Sequence, residues 1–391
     1  FNIENSLQKF LPYGDRLTVT TKVLRGNVNT RIQKLCDGEY DAIILAFAGI
    51  ERLASSNESK AEIAPLLSDL DFMILPLSTF PSAASQGALA IEILKDRNDC
   101  GELEKKLIGI HHSRTANQVA EERKLFQSYG GGCHLAVGIN AQEKKGKLIV
   151  HQRGSFQNKV IKKSKIINLK RNSPPNGLIF IGVSNNTSDL DQGQFLYDQI
   201  IEKGPLPIKS DQVKNSDKFY ITTRHAIASL KHIGTIKNTW AAGVKTMEMM
   251  AKEGLWVRGS SDAMGEDEVK KFSNSKLLKL LDQNFSENNW KVLTNSKGTS
   301  ELGEVIPAYQ RKIKVGKEAF INSIKKTSVF YWTSFFQYET YCKLFPDISN
   351  KTHCCGLGKT FEQFINENIE VIPFSGMLEF KNWIGKEHNY E

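Results

Sequence analysis

Several common signatures are missing from this chain. Its six cysteines, Cys36, Cys100, Cys133, Cys342, Cys354 and Cys355, fall at irregular spacings without a C-x-x-C pair. That argues against both a zinc site and a disulfide framework and leaves only individual reactive thiols. No run of about eighteen uncharged apolar residues occurs, so no membrane-spanning helix is expected. The N-terminal stretch has neither a basic n-region nor an apolar h-region, and the cytoplasm is the expected compartment. RNP-like, zinc-finger and helix-turn-helix patterns are lacking, and the lysines are scattered with few aromatic neighbours, which argues against nucleic acid.

What is present is a chain of 391 residues, 40% hydrophobic, with a net charge of +9. Such a length buries substantial cores and suggests two to four domains. The positive balance fits an acidic small substrate, a polycarboxylate, better than a nucleic acid or a membrane surface. The chain opens at Phe1 inside what reads as a folded segment, so its start is expected not to be native.

The first third alternates strand-like and helical runs: LTVTTKVL, a helix from about Thr30 to Asp37, the apolar run DAIILAFAG, then ALAIEIL. One or two helices are expected between Glu102 and Tyr129, followed by a strand-rich stretch from Val137 to Val183. KRNSPPNG, between its last two strands, has the composition of a turn or linker. After Gly177 strand, loop and helix repeat: GLIFIGV with FLYDQIIEKG, KFYITTR with AIASLKHI, TWAAGV with TMEMMAKEG, then WKVLTN, SVFYWTS and HCCGLG before FEQFINEN. This alternation predicts doubly wound parallel sheets, whose ligands collect at strand C-terminal ends.

Two constellations carry chemistry. Arg25 and Arg31 flank a Gly-Asn turn at a helix start. They read either as a solvated pair or as a fork for carboxylates, aided by the helix N-terminal N–H groups. Further on, Cys133 lies in a glycine-rich turn within ERKLFQSYGGGCHLAVG, between a helix and a strand. Together these stretches resemble porphobilinogen deaminase, whose pattern includes R-G-N-V-x-T-R, D-A-I-x-L-A-x-A-G-x-x-R-L, Q-G-A-x-x-I-E, H-H and E-R-x(8)-G-G-C. All occur here in order, and the resemblance covers about Leu17 to Gly154.

The resemblance implies a dipyrromethane cofactor joined to Cys133 by a thioether. It makes Arg25, Arg31 and Arg52 partners of that cofactor's carboxylates. The chemistry is consistent: a growing pyrrole chain carries two carboxylates per ring, and guanidinium forks suit them better than ammonium groups. A thiolate can add to a methylene pyrrole, and a glycine-rich turn lets a bulky adduct clear the backbone. Ser85, Leu135 and Ala136 depart from the family pattern. More seriously, neither the family's S-M-K-D stretch, with its catalytic aspartate, nor its S-S-L-R-R segment has a counterpart. The resemblance thus implies that these residues alone do not deaminate porphobilinogen, that the cofactor is held only if the missing domain is present, and that a separate chain or segment supplying that domain is a possible partner. The stretch around Gln86 to Leu94, which in the family completes the missing domain, becomes an orphan strand. A truncated piece of a longer fusion protein is the simplest account.

From Gly177 onward the chain resembles uroporphyrinogen-III synthase, chiefly through the order of its units. KFYITTRHAIASL resembles a strand ending in a hydroxyl pair before an Arg; TWAAGVKTMEMMAKEG resembles V-G-x-x-T-A-x-x-L-x-x-x-G. SVFYWTSFFQYETYCKLF resembles the strand ending in S-P-S-G. THCCGLGKTFEQFINENIEVI resembles A-I-G-x-T-T-A-x-x-x-x-x-x-G, with Asn368 where the glycine would fall. Such an enzyme binds a linear tetrapyrrole with eight carboxylates, promotes loss of its hydroxyl and closes the last ring through its substituted carbon, which calls for a shaped cleft with N–H and hydroxyl donors. Thr222, Thr223, Thr333, Ser334 and Thr360 lie at strand ends before helices. Each is either a carboxylate-binding hydroxyl or simply an N-cap. The resemblance aligns Tyr309, in IPAYQRK, with a tyrosine placed to protonate the leaving hydroxyl; unaided, it reads as a half-buried aromatic. GLGKT at Gly356 to Thr360 looks like the end of a P-loop, but the first glycine would fall at His353, so nucleotide binding is rejected. No metal is implied.

The resulting expectation is α/β throughout. A deaminase-like α/β remnant (1–80) is followed by a segment returning to the missing domain (81–101), a small α+β cofactor-cysteine domain (102–170) and a linker (171–176). Two doubly wound synthase domains follow, the first from 177–212 and 314–391, the second from 213–313. The function expected is tetrapyrrole biosynthesis by a fusion of hydroxymethylbilane synthase, inactive in this form, with a uroporphyrinogen-III synthase acting as a cyclising lyase. The alternatives are a synthase with a non-catalytic deaminase relic, and a carboxylate-binding sensor.

Overall fold

Two-residue turns organise the first sheet. β1 (Val137–Lys144), β2 (Lys147–Phe156) and β3 (Lys159–Ile166) pair antiparallel in the order β1-β2-β3. Lys145 and Gly146 join the first pair, and Gln157 and Asn158 the second; all four have positive φ, from 48° to 67°. Paired left-handed residues match the twist of a tight hairpin. The structure is a computed structural model, which describes residues 1–132, 135–183, 194–214, 217–230, 233, 236–282, 285 and 289–385.

The apolar runs beyond the linker form β4 (Leu178–Ile181), β5 (Phe195–Tyr197), β6 (Ile201–Pro205), β7 (Lys218–Ile221), β8 (Thr239–Ala241) and β9 (Val257–Ser260). β10 (Trp290–Asn295), β11 (Glu304–Ile313), β12 (Thr327–Trp332), β13 (Thr352–Gly356) and β14 (Ile372–Phe374) complete the set. A five-stranded sheet runs β14-β13-β12-β4-β5, all parallel. The six-stranded sheet runs β6-β11-β10-β7-β8-β9 and is parallel except for β6, which lies antiparallel to β11. The chain therefore crosses from one sheet to the other between Tyr197 and Ile201. Central strands reading VFYW and FYI are buried almost without interruption, as expected where helices cover both faces.

Two expectations are corrected. FLYDQIIEKG is not a helix: Asp198 accepts the N–H groups of Ile200 and Ile201 at 2.9 and 3.0 Å and breaks the run into β5 and β6. The β-branched Ile200 and Ile201 favour that outcome. The strands expected before residue 95 also do not form among the described residues. Helices Val28–Cys36, Phe47–Ser55 and Asn57–Leu67 are present, but LTVTTKVL, the front of DAIILAFAG and ALAIEIL run without ladder partners among the described residues. A strand needs a neighbour for its N–H and C=O groups, and here pattern alone does not supply one. Val23 and Leu89 stay in solvent, at 76% and 95% exposure, while Ile43 and Leu45 pack against the core of Ile32, Ile63 and Leu277.

What these residues do instead is lie against the six-stranded sheet. Phe10 and Phe80 meet edge to face at 5.3 Å inside the core of Ile221, Met247, Met250 and Val257. Ile74 donates to Arg258 O at 2.7 Å beside edge strand β9, and Trp256 Nε1 donates to Phe72 O at 3.0 Å. Glu51 caps the helix Lys276–Leu281, accepting from Ser275 Oγ at 2.6 Å and the N–H groups of Lys276 and Leu277 at 2.8 and 3.1 Å. Burial opposes its ionisation, but these bonds outweigh it and hold the carboxyl below its ordinary range. Ser78 bonds Asp262 through both N–H and hydroxyl.

The hairpin sheet is bolted to the C-terminal segment. Arg171 donates to Glu379 at 2.9 Å and to Pro373 O at 2.7 Å, with its guanidinium 4.3 Å from the centre of Phe374. Glu379 also accepts the N–H groups of Ile166 and Ser375 at 3.1 and 2.7 Å. No helix among the described residues is long and apolar enough to cross a membrane.

Buried His151 on β2 sets a pH response. Burial, helped by Arg153, pushes its imidazole down to about 4 from 6.5. The unfolded chain takes up this proton below about 6.5 and the folded chain only below about 4, so the stability is full above 6.5 and drains away as pH falls to 4. The loss amounts to roughly 3 kcal/mol. Unfolding free energies from urea titrations at pH 7 and pH 4.5 should differ by most of that amount, and His151→Asn should shrink the difference.

Candidate functional site

The deaminase-like candidates sit on exposed turns. Asn27 caps the helix Val28–Cys36, its Oδ1 accepting from Thr30 N and Thr30 Oγ1, each at 2.8 Å. Arg31 folds back on this turn, Nε donating to Gly26 O at 2.8 Å. Arg25 and Arg52 are exposed, and among the described residues Arg31 shares no hydrogen bond with either. Cys133 lies outside the described residues. The turn leading to it is described: Gly130, Gly131 and Gly132 have φ of 91°, 65° and 100°, a succession only glycine adopts readily. A Cβ at Gly130 or Gly132 would meet nothing within 4 Å, so open space surrounds this turn.

The synthase-like hydroxyls are mostly committed to backbone. Thr223 accepts from His225 N at 3.5 Å and Ser334 from Gln337 N at 3.3 Å, both as N-caps. Thr222 Oγ1 donates to Leu293 O at 2.9 Å, and Thr333 Oγ1 to Gly182 O at 2.8 Å. Thr360 Oγ1 reaches Thr333 O at 3.4 Å, which joins the ends of β12 and β13. Lys359 Nζ donates to Thr299 O at 3.1 Å, so the helix after β13 touches the loop after β10.

Tyr309 is 4% exposed, packed in the six-stranded core with its ring 5.9 Å from that of His225. Around it lies a cluster that sequence reading did not single out. Arg311 stands two residues along β11, on the same face as Tyr309, and Lys203 on β6 is its direct partner across the ladder. Arg224 and His225 follow β7 in a short turn. Like charges directly opposite on paired strands repel. None of Lys203, Arg224 and Arg311 makes a salt bridge among the described residues, and buried Arg311 Nε has no hydrogen-bond partner there. The guanidinium of Arg311 lies 4.8 Å from the centre of Phe336, which begins the helix after β12. Burial and then Lys203, Arg224 and Arg311 push His225 down to about 4; burial, Arg311 and Arg224 lower Lys203 against the opposing pull of Asp198. The arrangement is a half-buried cluster of cations suited to anions. Its sequence signal was slight: the alternation Tyr309, Arg311 on one strand and the Arg after the Thr222-Thr223 pair.

Residues 8–102 match the sequence model of the family described as porphobilinogen deaminase, dipyromethane cofactor binding domain. Porphobilinogen deaminase of Chromobacterium violaceum is 42% identical over 142 residues, covering 35% of this chain and 41% of that one. The Streptococcus sanguinis enzyme is 41% identical over 122 residues, 31% of this chain and 36% of that one. The chain thus spans about two fifths of the length of these curated relatives. Among solved structures, uroporphyrinogen-III synthetase from Helicobacter pylori 26695 covers 51% of this chain and 92% of its own at 15% identity, with a TM-score of 0.29. A superposition that loose carries no argument about the site. The N-terminal part of this chain is thus similar to the cofactor-binding domain of porphobilinogen deaminase.

Proposed function

We propose that the chain works in tetrapyrrole biosynthesis, as a deaminase-derived unit followed by a cyclising synthase that converts hydroxymethylbilane to uroporphyrinogen III with inversion of ring D. The observation that supports the synthase reading is the cationic cluster of Lys203, Arg224 and Arg311 near Tyr309, at the end of the sheet where β7 ends. A polycarboxylate bound there is neutralised by fixed cations while Tyr309 gives a proton to the departing hydroxyl. Thr222, Thr223, Thr333, Ser334 and Thr360 fix the strand-end loops through their bonds to backbone and side chains. With β6 paired to β11, the second synthase unit begins near Ile201, and the first is made of the residues about β4, β5 and β12 to β14.

For the deaminase part, the open glycine turn fits a covalent dipyrromethane at Cys133 once the rest of that enzyme is supplied. That group would prime chain growth, and Arg25, Arg31 and Arg52 would hold its carboxylates. A second reading, a non-catalytic relic, is favoured by the packing of Phe10 and Phe80 onto the six-stranded sheet and by the cap that Glu51 places on the helix Lys276–Leu281. Intact-protein mass separates the two: a chain that shows no pyrrole adduct when expressed with the missing domain is a relic.

Fresh hydroxymethylbilane given to the purified chain should yield isomer III in excess over isomer I after oxidation. Tyr309→Phe should lower kcat about tenfold, and Arg224→Gln should raise KM with little change in kcat. Isomer I at the uncatalysed rate, from folded protein, would remove the synthase reading.

A further inference from the structure

The cationic cluster has a charge balance that specifies its ligand more closely. Lys203 and Arg311 face each other across β6 and β11, and Arg224 completes the group from the turn after β7. The nearby carboxylate is Asp198, and it is already occupied. It accepts from Ile200 N at 2.9 Å, Ile201 N at 3.0 Å, Tyr341 Oη at 2.7 Å and Gln337 Nε2. Three cations against that one carboxylate leave two positive charges half-buried without a counter-ion among the described residues. An uncompensated charge in such a place is costly, and an arriving anion removes the cost.

We propose that Lys203, Arg224 and Arg311 form a subsite for two neighbouring carboxylates on one ligand ring, and that His225 takes up a proton from solvent as they bind. The proposal deepens the synthase reading by naming the group the cluster selects, and it rests on that reading only for the identity of the substrate. The groups bearing on His225 are Lys203 from β6, Arg224 on its own turn, and Tyr309 and Arg311 from β11. The helix Val244–Lys252 also packs against this turn; its Lys245 and Glu248 pair with each other at 2.7 Å. β10 offers Thr294 and Asn295, which carry no charge. Among the described residues the charges that lower the imidazole are all positive, and they and burial push it down to about 4. Two carboxylates cancel that excess, so the bound form holds a proton at a higher pH than the free form. Binding must then tighten as pH falls from 7 toward 5.

The test uses the full chain and two stable probes: octacarboxylate uroporphyrin III, with two carboxylates per ring, and tetracarboxylate coproporphyrin III, with one. Quenching of tryptophan fluorescence gives both affinities. Uroporphyrin should bind at least about tenfold more tightly, the weight of one charge-assisted bond. Arg311→Gln and Lys203→Gln should shrink the preference to below about threefold, and Arg311→Lys should keep most of it. Calorimetry at pH 6 in two buffers of different ionisation enthalpy should show proton uptake on binding uroporphyrin in the unmodified chain, lost in His225→Asn. That measurement decides the matter even where a variant does not fold. Equal affinity for the two porphyrins, or no proton uptake, overturns the proposal. Selectivity with uptake but no isomer III removes the synthase reading and leaves this subsite standing.

Discussion

Arg171→Met should lower stability by roughly 3 to 5 kcal/mol, the cost of leaving a buried carboxylate without its cation. Arg171 and Glu379 are 11% and 8% exposed, and the pair closes a network from Ile166 in the hairpin sheet to Ser375 and the helix Met377–Ile384. Glu379 keeps its two backbone donors in the variant, but no positive charge offsets it. The double variant Arg171→Met, Glu379→Leu should regain more than half of the loss, because removing both charges also removes the desolvation cost. Urea unfolding followed by tryptophan emission measures both: Trp383, whose Nε1 donates to Asn172 O at 2.9 Å, sits at this junction. An Arg171→Met protein as stable as its parent would show that the network is not a structural bolt.

Trp332→Ala should cost about 3 to 5 kcal/mol as well, and it should also disturb the loop after β12. Trp332 is 1% exposed, stacked on Phe330 at 5.2 Å and 11°, and edge-on to Tyr338 and Tyr341. Its Nε1 donates to His353 Nδ1 at 3.1 Å. Truncation opens a cavity in the five-stranded sheet and leaves a buried imidazole nitrogen unpaired. Trp332→Phe retains much of the packing and should cost less. Thr333 follows directly, so under the proposed synthase reading isomer III formation should fall further than the stability loss alone explains. Equal losses of stability in the Ala and Phe variants would locate the effect in the hydrogen bond rather than in the packing.

Strands of the later sheets were legible because they are continuous apolar runs set between helical stretches. WKVLTN, SVFYWTS and HCCGLG each became a strand close to the expected place. FLYDQIIEKG was not, because one side chain, Asp198, decides its path by capping two N–H groups. The front third was legible as family and not as structure: its motifs match the deaminase domain, yet LTVTTKVL finds no ladder partner among the described residues. Pairing depends on what lies beside a strand, which a run of residues cannot reveal. The cationic cluster was missed for a similar reason. Lys203 and Arg311 are far apart along the chain and meet only through the register of β6 and β11.

The interleaving of the two sheets dictates an order of assembly on the ribosome. β4 is made early, but its partner β12 comes only after the whole six-stranded sheet has been synthesised; the bond from Thr333 to Gly182 spans 151 positions. The inserted sheet can close on its own contacts while β4 and β5 wait. During that interval Ile179, Phe180 and Ile181, buried in the finished protein, are open to other chains. Slow translation through Thr327–Trp332 would lengthen the exposure, and a chaperone that holds apolar segments would bear most heavily on the yield of this half of the molecule.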